Sequence, residues 1–356
     1  MNNRRLRLLR EMKEKGIDAA LITSPENRRY FSGFTGTDGM VFIHPEASCL
    51  ITDFRYIEQG NMQCPGFIVA DAPGAKAYEY IKELCDSLCI RNIWFEDESI
   101  SLRTYQSLSE GVKPVSLLPD GGILSNLRII KSAEEIENMR LAAAIADRGF
   151  DYMLTVLKPG MTEKEAALEL EFFMRKNGSE GLAFPIIAAS GQNGAMPHAE
   201  PQDKRLEPGD FLTLDFGCVV NGYCSDMTRT IAIGEPSEKL REIYRITLEA
   251  QLKALSILKP GVSCFDADKA ARDCIEQRGY GDCFGHGLGH GVGLLIHEAP
   301  RLSRTGDGVL APGMVVTVEP GIYLPGLGGV RIEDMVVITE GGYANITSSP
   351  KDLIII

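Results

Sequence analysis

The chain has 356 residues, of which 44% are hydrophobic and 24% charged, and it carries a net charge of −12. That is globular composition, and the length suggests two domains of ~100–200 residues each. The acidic balance argues against sequence-independent binding of nucleic acid, which needs lysine and arginine to neutralise phosphate. The opening MNNRRLRLLREMKEKG is charged throughout and lacks the apolar core of a secretory signal. No apolar run nears the ~20 residues needed to span a bilayer. Nine scattered cysteines, with no C-x-x-C pair, read as reduced thiols of a cytoplasmic protein without membrane partners.

In chain order, residues 4–15 form an amphipathic helix, and DAALIT (18–23), MVFIH (40–44) and CLITD (49–53) form strands. Residues 78–89 are helical, which places Cys85 and Cys89 on one helix, and NIWFED (92–97) is another strand. This alternation predicts a layered α/β domain over 1–125, ending near the loop Pro119-Asp120-Gly121-Gly122. The second domain, 126–356, opens with a helix capped by Ser132, with Glu135 completing a capping box. Ile136, Met139 and Ala143 continue the apolar face of that helix.

The second domain contains a duplication. LKPG at 157–160 recurs at 258–261, each time between helical stretches. LEPG at 206–209 recurs as LAPG at 310–313, each time before an alternating strand, FLTLDFG (211–217) or VVTVEPG (315–321). Both strands carry an acid six positions after the glycine, Asp215 and Glu319. A unit of about 100 residues is too long for a solenoid and implies two related halves around one site.

Thr213 and Asp215 share one strand face. Asn221-Gly222 is a hairpin turn, leading to a strand on which Asp226, Thr228 and Thr230 share a face. The hairpin brings Asp215 beside Asp226. The second half presents Glu319 and Glu333 in the same manner, with Thr317 beside Glu319 and Arg331 beside Glu333. Four acids in one place repel one another and resist burial unless divalent cations compensate. Three of the five histidines, His286, His290 and His297, lie in FGHGLGHGVGLLIHEAP (284–300). His297-Glu298 lacks the second histidine of H-E-x-x-H, so a zincin site is not supported.

LDFG, GYCSDMTRT, GHGVGLLIHE, VEPGIY and VRIED, in this order over residues 130–350, resemble the pita-bread metallopeptidases. SPENRRYFSGFTG (24–36) and ITDFRY (51–56) resemble the creatinase-type N-terminal domain of aminopeptidase P and prolidase. The resemblance implies an α+β pita-bread domain with internal two-fold pseudo-symmetry behind the α/β domain. It implies five ligands to two divalent metals: Asp226 and Glu333 bridging, Asp215 on one metal, His290 and Glu319 on the other. Hard oxygen donors favour Mn²⁺, with Co²⁺, Zn²⁺ or Fe²⁺ as alternatives. His198, in PHAEP, and His297 match substrate-facing histidines, while His286 matches no ligand and reads as structural. In the implied hydrolysis His297 is a donor to the oxyanion, Glu319 moves the proton, and His198 orients the residue after the cut. Thr228 is expected to orient Asp226, Arg331 to neutralise the cluster or hold a substrate carboxylate, and Tyr323 is a weaker candidate beside them. The implied substrates are peptides with proline in second position, and the implied assembly is a homodimer. The reading leans to aminopeptidase P, with prolidase as the alternative if Arg301 binds a dipeptide carboxylate. A non-catalytic binding module on this scaffold predicts broken ligands, and all five stand.

Overall fold

The computed structural model describes residues 3–356, and these divide into two compact units between Arg128 and Ile129. The first unit is built on six strands: β1 (Ala19–Ile22), β2 (Met40–Ile43), β3 (Ser48–Thr52), β4 (Ile68–Asp71), β5 (Asn92–Phe95) and β6 (Ser116–Pro119). They form one mixed sheet in the order β4-β3-β2-β1-β5-β6. The helices are α1 (Asn3–Lys15), α2 (Pro25–Ser32), α3 (Ile57–Gln63), α4 (Ala75–Ser87), α5 (Leu102–Gly111) and α6 (Ile123–Asn126). Strand β1 is buried at every position, which explains its unbroken apolar run in place of alternation. Cys85 is buried on α4, but Cys89 is not on the helix: it is exposed and has φ +56°. A left-handed residue there turns the chain off the helix end towards β5.

The second unit carries two helix pairs, α7 (Ala133–Val156) with α8 (Glu163–Lys176), and α9 (Glu238–Ile257) with α10 (Cys264–Gln277). Ser132 and Glu135 form the expected capping box at the start of α7. The first half holds β7 (Gly181–Leu182), β8 (Ile187–Ser190), β9 (Phe211–Phe216), β10 (Cys218–Val220), β11 (Tyr223–Cys224) and β12 (Met227–Ala232). The second holds β13 (Gly289–Gly291), β14 (Glu298–Leu302), β15 (Val315–Val318), β16 (Gly321–Leu324), β17 (Gly328–Arg331), β18 (Asp334–Ile338) and β19 (Tyr343–Asn345). The main sheets run β12-β9-β8 and β14-β13-β15-β18-β19. Each helix pair seals the apolar side of its own half, with Phe150, Leu170 and Leu214 in one core and Ile243, Ala271 and Val316 in the other.

The duplicated glycines explain themselves. Gly160, Gly209, Gly261 and Gly313 all have φ between +85° and +98°, a region costly to residues with a Cβ. Each turn makes the same bonds in both copies. Gly160 N–H donates to Leu206 O (2.8 Å) and Gly261 N–H to Leu310 O (2.9 Å). Gly209 N–H donates to Ile233 O (2.6 Å) and Gly313 N–H to Ile338 O (2.9 Å).

The last residues tie the halves together. Asp147 on α7 accepts from the hydroxyls of Ser348 (2.7 Å) and Ser349 (2.6 Å). Arg229 on β12 is buried and donates to Ser349 O (2.7 Å), Pro350 O (3.0 Å) and Asp334 Oδ1 (2.8 Å). Among the described residues no helix is long and apolar enough to cross a membrane.

Candidate metal centre

The acids sit where two hairpins break. In the first, β9 pairs with β12, Asp215 opposite Thr228. The ribbon then bends, and its tip closes as β10 and β11 around Asn221 and Gly222, with φ +48° and +76°. The Asn-Gly turn therefore closes the ribbon as expected, but its tip lies in a different sheet from the strands bearing the acids. Gly217 makes the bend: a Cβ there would fall 1.9 Å from Ser225 O. Asp226 lies at the bend, two residues before Thr228. In the second hairpin Val318 pairs with Asp334 and, past the break, Gly321 with Arg331. That register puts Glu319 and Glu333 opposite each other at the bend. Ladder bonds are interrupted at both bends, which leaves room for side chains to converge.

Asp215, Asp226, His290, Glu319 and Glu333 all line one cavity of about 610 Å³. Asp226, His290 and Glu333 offer donor atoms within 4.8 Å of one another. His290 Nε2 lies 3.3 Å from Glu319 Oε1 and 3.5 Å from Asp226 Oδ2. The other ring nitrogen of His290 is 3.0 Å from Gly291 O, which fixes the ring. Thr317 Oγ1 donates to Glu319 (3.0 Å) and accepts the His290 N–H (3.0 Å). Thr228 departs from expectation: its hydroxyl donates to Glu333 Oε2 (2.7 Å), not to Asp226. The reason is that Glu333 N–H bonds Thr228 O (3.1 Å), so Thr228 faces the other half.

Arg331 is buried in the cluster. Its Nη2 donates to Asp215 Oδ2 (2.5 Å), its Nη1 to Tyr323 OH (2.8 Å) and Pro197 O (3.2 Å), and its Nε to Thr228 Oγ1 (3.1 Å). Of the two roles open to it, neutralising the cluster is the one its geometry fills. Tyr323 OH also lies 2.9 Å from His286 Nε2, and His286 Nδ1 lies 2.8 Å from Gly287 O. Both ring nitrogens of His286 are therefore engaged by the protein. Glu298 is held in a buried ion pair with Lys131 (3.3 Å), which takes it out of any H-E-type chemistry.

Electrostatics divides the acids. Burial and the neighbouring carboxylates push Asp226 and Glu333 well above the usual carboxylate range. Burial also raises Asp215, against the pull of Arg331. For Glu319 the burial penalty is outweighed by the hydrogen bond and charge of His290, which hold it at about 2. Among the described residues Asp215 Oδ1 and Glu333 Oε1, both buried, have no hydrogen-bond partner. Unsatisfied carboxylate oxygens are costly, and cations in the cavity would satisfy both while letting the remaining acids ionise. The donor set, four carboxylates and one imidazole, suits hard or borderline divalent ions.

His198, His297 and Arg301 are exposed in the cavity wall. The ring of His297 packs edge-on to His290 with centroids 4.4 Å apart. Arg301 pairs with His290 across the β13–β14 ladder. One structural role went unnoticed in the sequence, that of Glu163, whose place in the first turn of a capped helix reads as a surface acid.

A duplicated α+β scaffold with this donor set defines a metal-dependent hydrolase. Residues 137–340 match the model of metallopeptidase family M24, and residues 4–130 that of the Creatinase/Prolidase N-terminal domain. The chain belongs to family M24 and is a metallo-exopeptidase with the pita-bread fold. It is 40% identical to the Xaa-Pro dipeptidase of Pyrococcus furiosus, over 99% of this chain and 100% of that relative. The solved structure of an Xaa-Pro dipeptidase from Bacillus anthracis matches with a TM-score of 0.96 at 46% identity, covering 99% of each chain. An X-Pro aminopeptidase from Thermotoga maritima matches with a TM-score of 0.91 at 39% identity, covering 98% of this chain and 100% of that one.

Proposed function

We propose that this metallo-exopeptidase is an Xaa-Pro dipeptidase that holds two divalent cations, Mn²⁺ being the best fit to its donors. The observation that carries the dipeptidase reading is Arg301. It is exposed in the cavity wall, beside His297 and across a ladder from His290. Among the described residues no acid pairs with it, so its guanidinium is available to a carboxylate. A dipeptide has a carboxylate one residue past the cut, and arginine binds that group through two parallel hydrogen bonds. The relatives named as Xaa-Pro dipeptidases support this preference over the aminopeptidase reading to which the sequence leans.

Asp215, Asp226, His290, Glu319 and Glu333, which line one cavity, would hold the cations. When bound, the cations acidify water and polarise a carbonyl. Glu319 takes a proton from the attacking water and delivers it to the departing proline nitrogen. His297 donates to the oxygen of the scissile carbonyl as charge builds there. His198 orients the proline side of the substrate. Arg301 places the carboxylate, so that binding energy remote from the reaction aligns the bond to be cut. A cytoplasmic homodimer acting on proline-containing peptides, with no nucleic-acid or membrane partner, completes the reading.

Aminopeptidase action on longer peptides is the second reading, and the named activity of the Thermotoga maritima relative favours it. Turnover of matched Xaa-Pro and Xaa-Pro-Yaa peptides by Mn²⁺-loaded protein, read by mass spectrometry, separates the two. The expected outcome is preferential dipeptide cleavage, with Arg301→Ala raising the dipeptide KM about 10–100-fold, the worth of a charge-assisted hydrogen bond. Preferential release of free Xaa from the tripeptide, with KM indifferent to Arg301→Ala, selects the aminopeptidase.

A further inference from the structure

Glu163 is a fully buried acid with no counter-ion: its exposure is 0%, and among the described residues no cation pairs with it. Such a group persists only if donors surround it, and all its donors come from one segment. Glu163 Oε1 accepts from Ser190 N–H (2.6 Å) and Ser190 Oγ (2.8 Å). Oε2 accepts from Gln202 N–H (3.0 Å), and Asn193 Nδ2 lies 3.1 Å from both oxygens. The carboxylate thus pins both ends of residues 190–202. Between the pins lie Pro197, whose carbonyl accepts from Arg331, and His198, which reaches the cavity wall. Among the described residues the His198 side chain makes no hydrogen bond, so its backbone alone sets its place.

The duplicated half shows that the fold does not require this acid. Glu163 N–H donates to Lys204 O (3.0 Å), and Cys264 N–H, at the matching start of α10, donates to Gly308 O (2.8 Å). The same helix start is made there with an apolar thiol. The second half fixes its own histidine-bearing segment differently, through Asp268 on α10. That acid accepts from Leu288 N–H (3.0 Å) and from Arg272, which in turn donates to His286 O (2.8 Å).

We propose that Glu163 is a positioning residue: by pinning Ser190, Asn193 and Gln202 it presents His198 to the proline side of the bound substrate. The inference rests on the role given to His198 above. Glu163→Gln tests it, because the amide puts a donor where one of the two backbone N–H groups now finds an acceptor. In a cycle of wild type, Glu163→Gln, His198→Ala and the double variant, kcat/KM on an Xaa-Pro dipeptide is expected to fall on the order of tenfold for Glu163→Gln. It should fall less than about twofold more once His198 is gone, with metal content as in wild type. Hydrogen exchange of the 190–202 amides should quicken in Glu163→Gln while β9 and β12 are unchanged. Equal losses in both backgrounds, no loss at all, or unaltered exchange would each overturn the assignment. A His198→Ala variant as active as wild type overturns it together with the role of His198. If wild type cleaves no Xaa-Pro bond, the functional reading fails, and exchange still decides whether Glu163 pins the segment. Should Glu163→Gln not fold, Asn193→Ala, which removes donors and leaves the buried acid in place, is put through the same cycle and exchange measurement with the same outcomes.

Discussion

In the first half of the catalytic unit a Leu206–Gly209 turn feeds β9, and two aspartates follow; in the second, a Leu310–Gly313 turn feeds β15, and two glutamates follow. The turns match bond for bond, and Asp215 and Glu319 occupy equivalent positions. The other two acids do not. Asp215 pairs with Thr228, whereas the register of the second hairpin sets Glu333 opposite Glu319. Glu333 therefore stands where the first half has Thr228, and Arg331 stands where it has Asp226. A longer side chain from the opposed position and a shorter one from the diagonal position reach the same cavity. Each half then reaches an acid of the other: Thr228 donates to its equivalent Glu333, while Arg331, the counterpart of Asp226, donates to Asp215. The backbone is duplicated, but the chemistry is complementary, and each half holds an acid belonging to the other.

Breaking this complementarity has graded consequences. The largest is expected for Asp226→Ala or Glu333→Ala, which should abolish both metal binding and turnover; metal-replete, active variants, read by elemental analysis, would sink the two-metal assignment. Next come the cross-braces. Arg331→Lys keeps the charge but loses the planar fork that reaches Asp215, Tyr323, Thr228 and Pro197, and Thr228→Val removes the donor to Glu333. Each should lower metal affinity about 10–100-fold, with Arg331→Lys the greater, as measured by titration calorimetry. An unchanged affinity in both would mean that each half positions its own acids.

Smaller effects test the duplication itself. Gly160 and Gly261 both have φ +88° and open space at the Cβ position. Alanine at either should cost only the left-handed backbone penalty, about 1–2 kcal/mol, and nearly equally. Thermal unfolding showing markedly unequal losses would mean that the two turns carry different loads. A reference outside both halves is Asp120, which burial, reinforced by Asp97, raises to about 6. Its folded value lies above the unfolded value of ~3.9, so the folded state binds the extra proton and stability falls as pH rises through that window. In Asp120→Asn the side-chain amide can still accept from Leu124 N–H and donate to Asp97. The variant should therefore flatten Tm between pH 4 and 7; an unaltered slope would show that Asp120 is not the titrating group.

Much of this was legible in the sequence because glycine and alternation leave local marks. The four turn glycines mark left-handed backbone, and TLD and TVE mark faces. Strands β1, β2, β3 and β5 of the first unit show as apolar runs because most of their side chains are buried, whereas β4 and β6, exposed or half-buried along their length, leave no such run. What stayed hidden depends on bends and long reach. Nothing local tells that Gly217 folds the hairpin tip into another sheet, or that Thr228 therefore looks across to Glu333 and not along its own strand to Asp226. Glu163 was hidden for a different reason. An acid in a helix's first turn is usually solvated, and its burial depends on residues 190–202, which no periodic pattern connects to it. Cys89 reads as helical in the sequence because apolar spacing continues past the point at which the backbone turns.

The bonds from Asp147 and Arg229 to residues 348–350 also set a timetable. Asp147 meets Ser348 across 201 positions of chain. At a synthesis rate of roughly 5–20 residues per second, a nascent α7 waits about 10–40 s for that partner. Over part of that interval Arg229 has neither Asp334 nor the Ser349 and Pro350 carbonyls, although in the finished protein it is wholly enclosed. A chain stalled short of residue 347 would hold all its proposed metal ligands yet leave Asp147 without Ser348 and Ser349 and Arg229 without the Ser349 and Pro350 carbonyls, so quality control has a window in which to act before the catalytic unit closes.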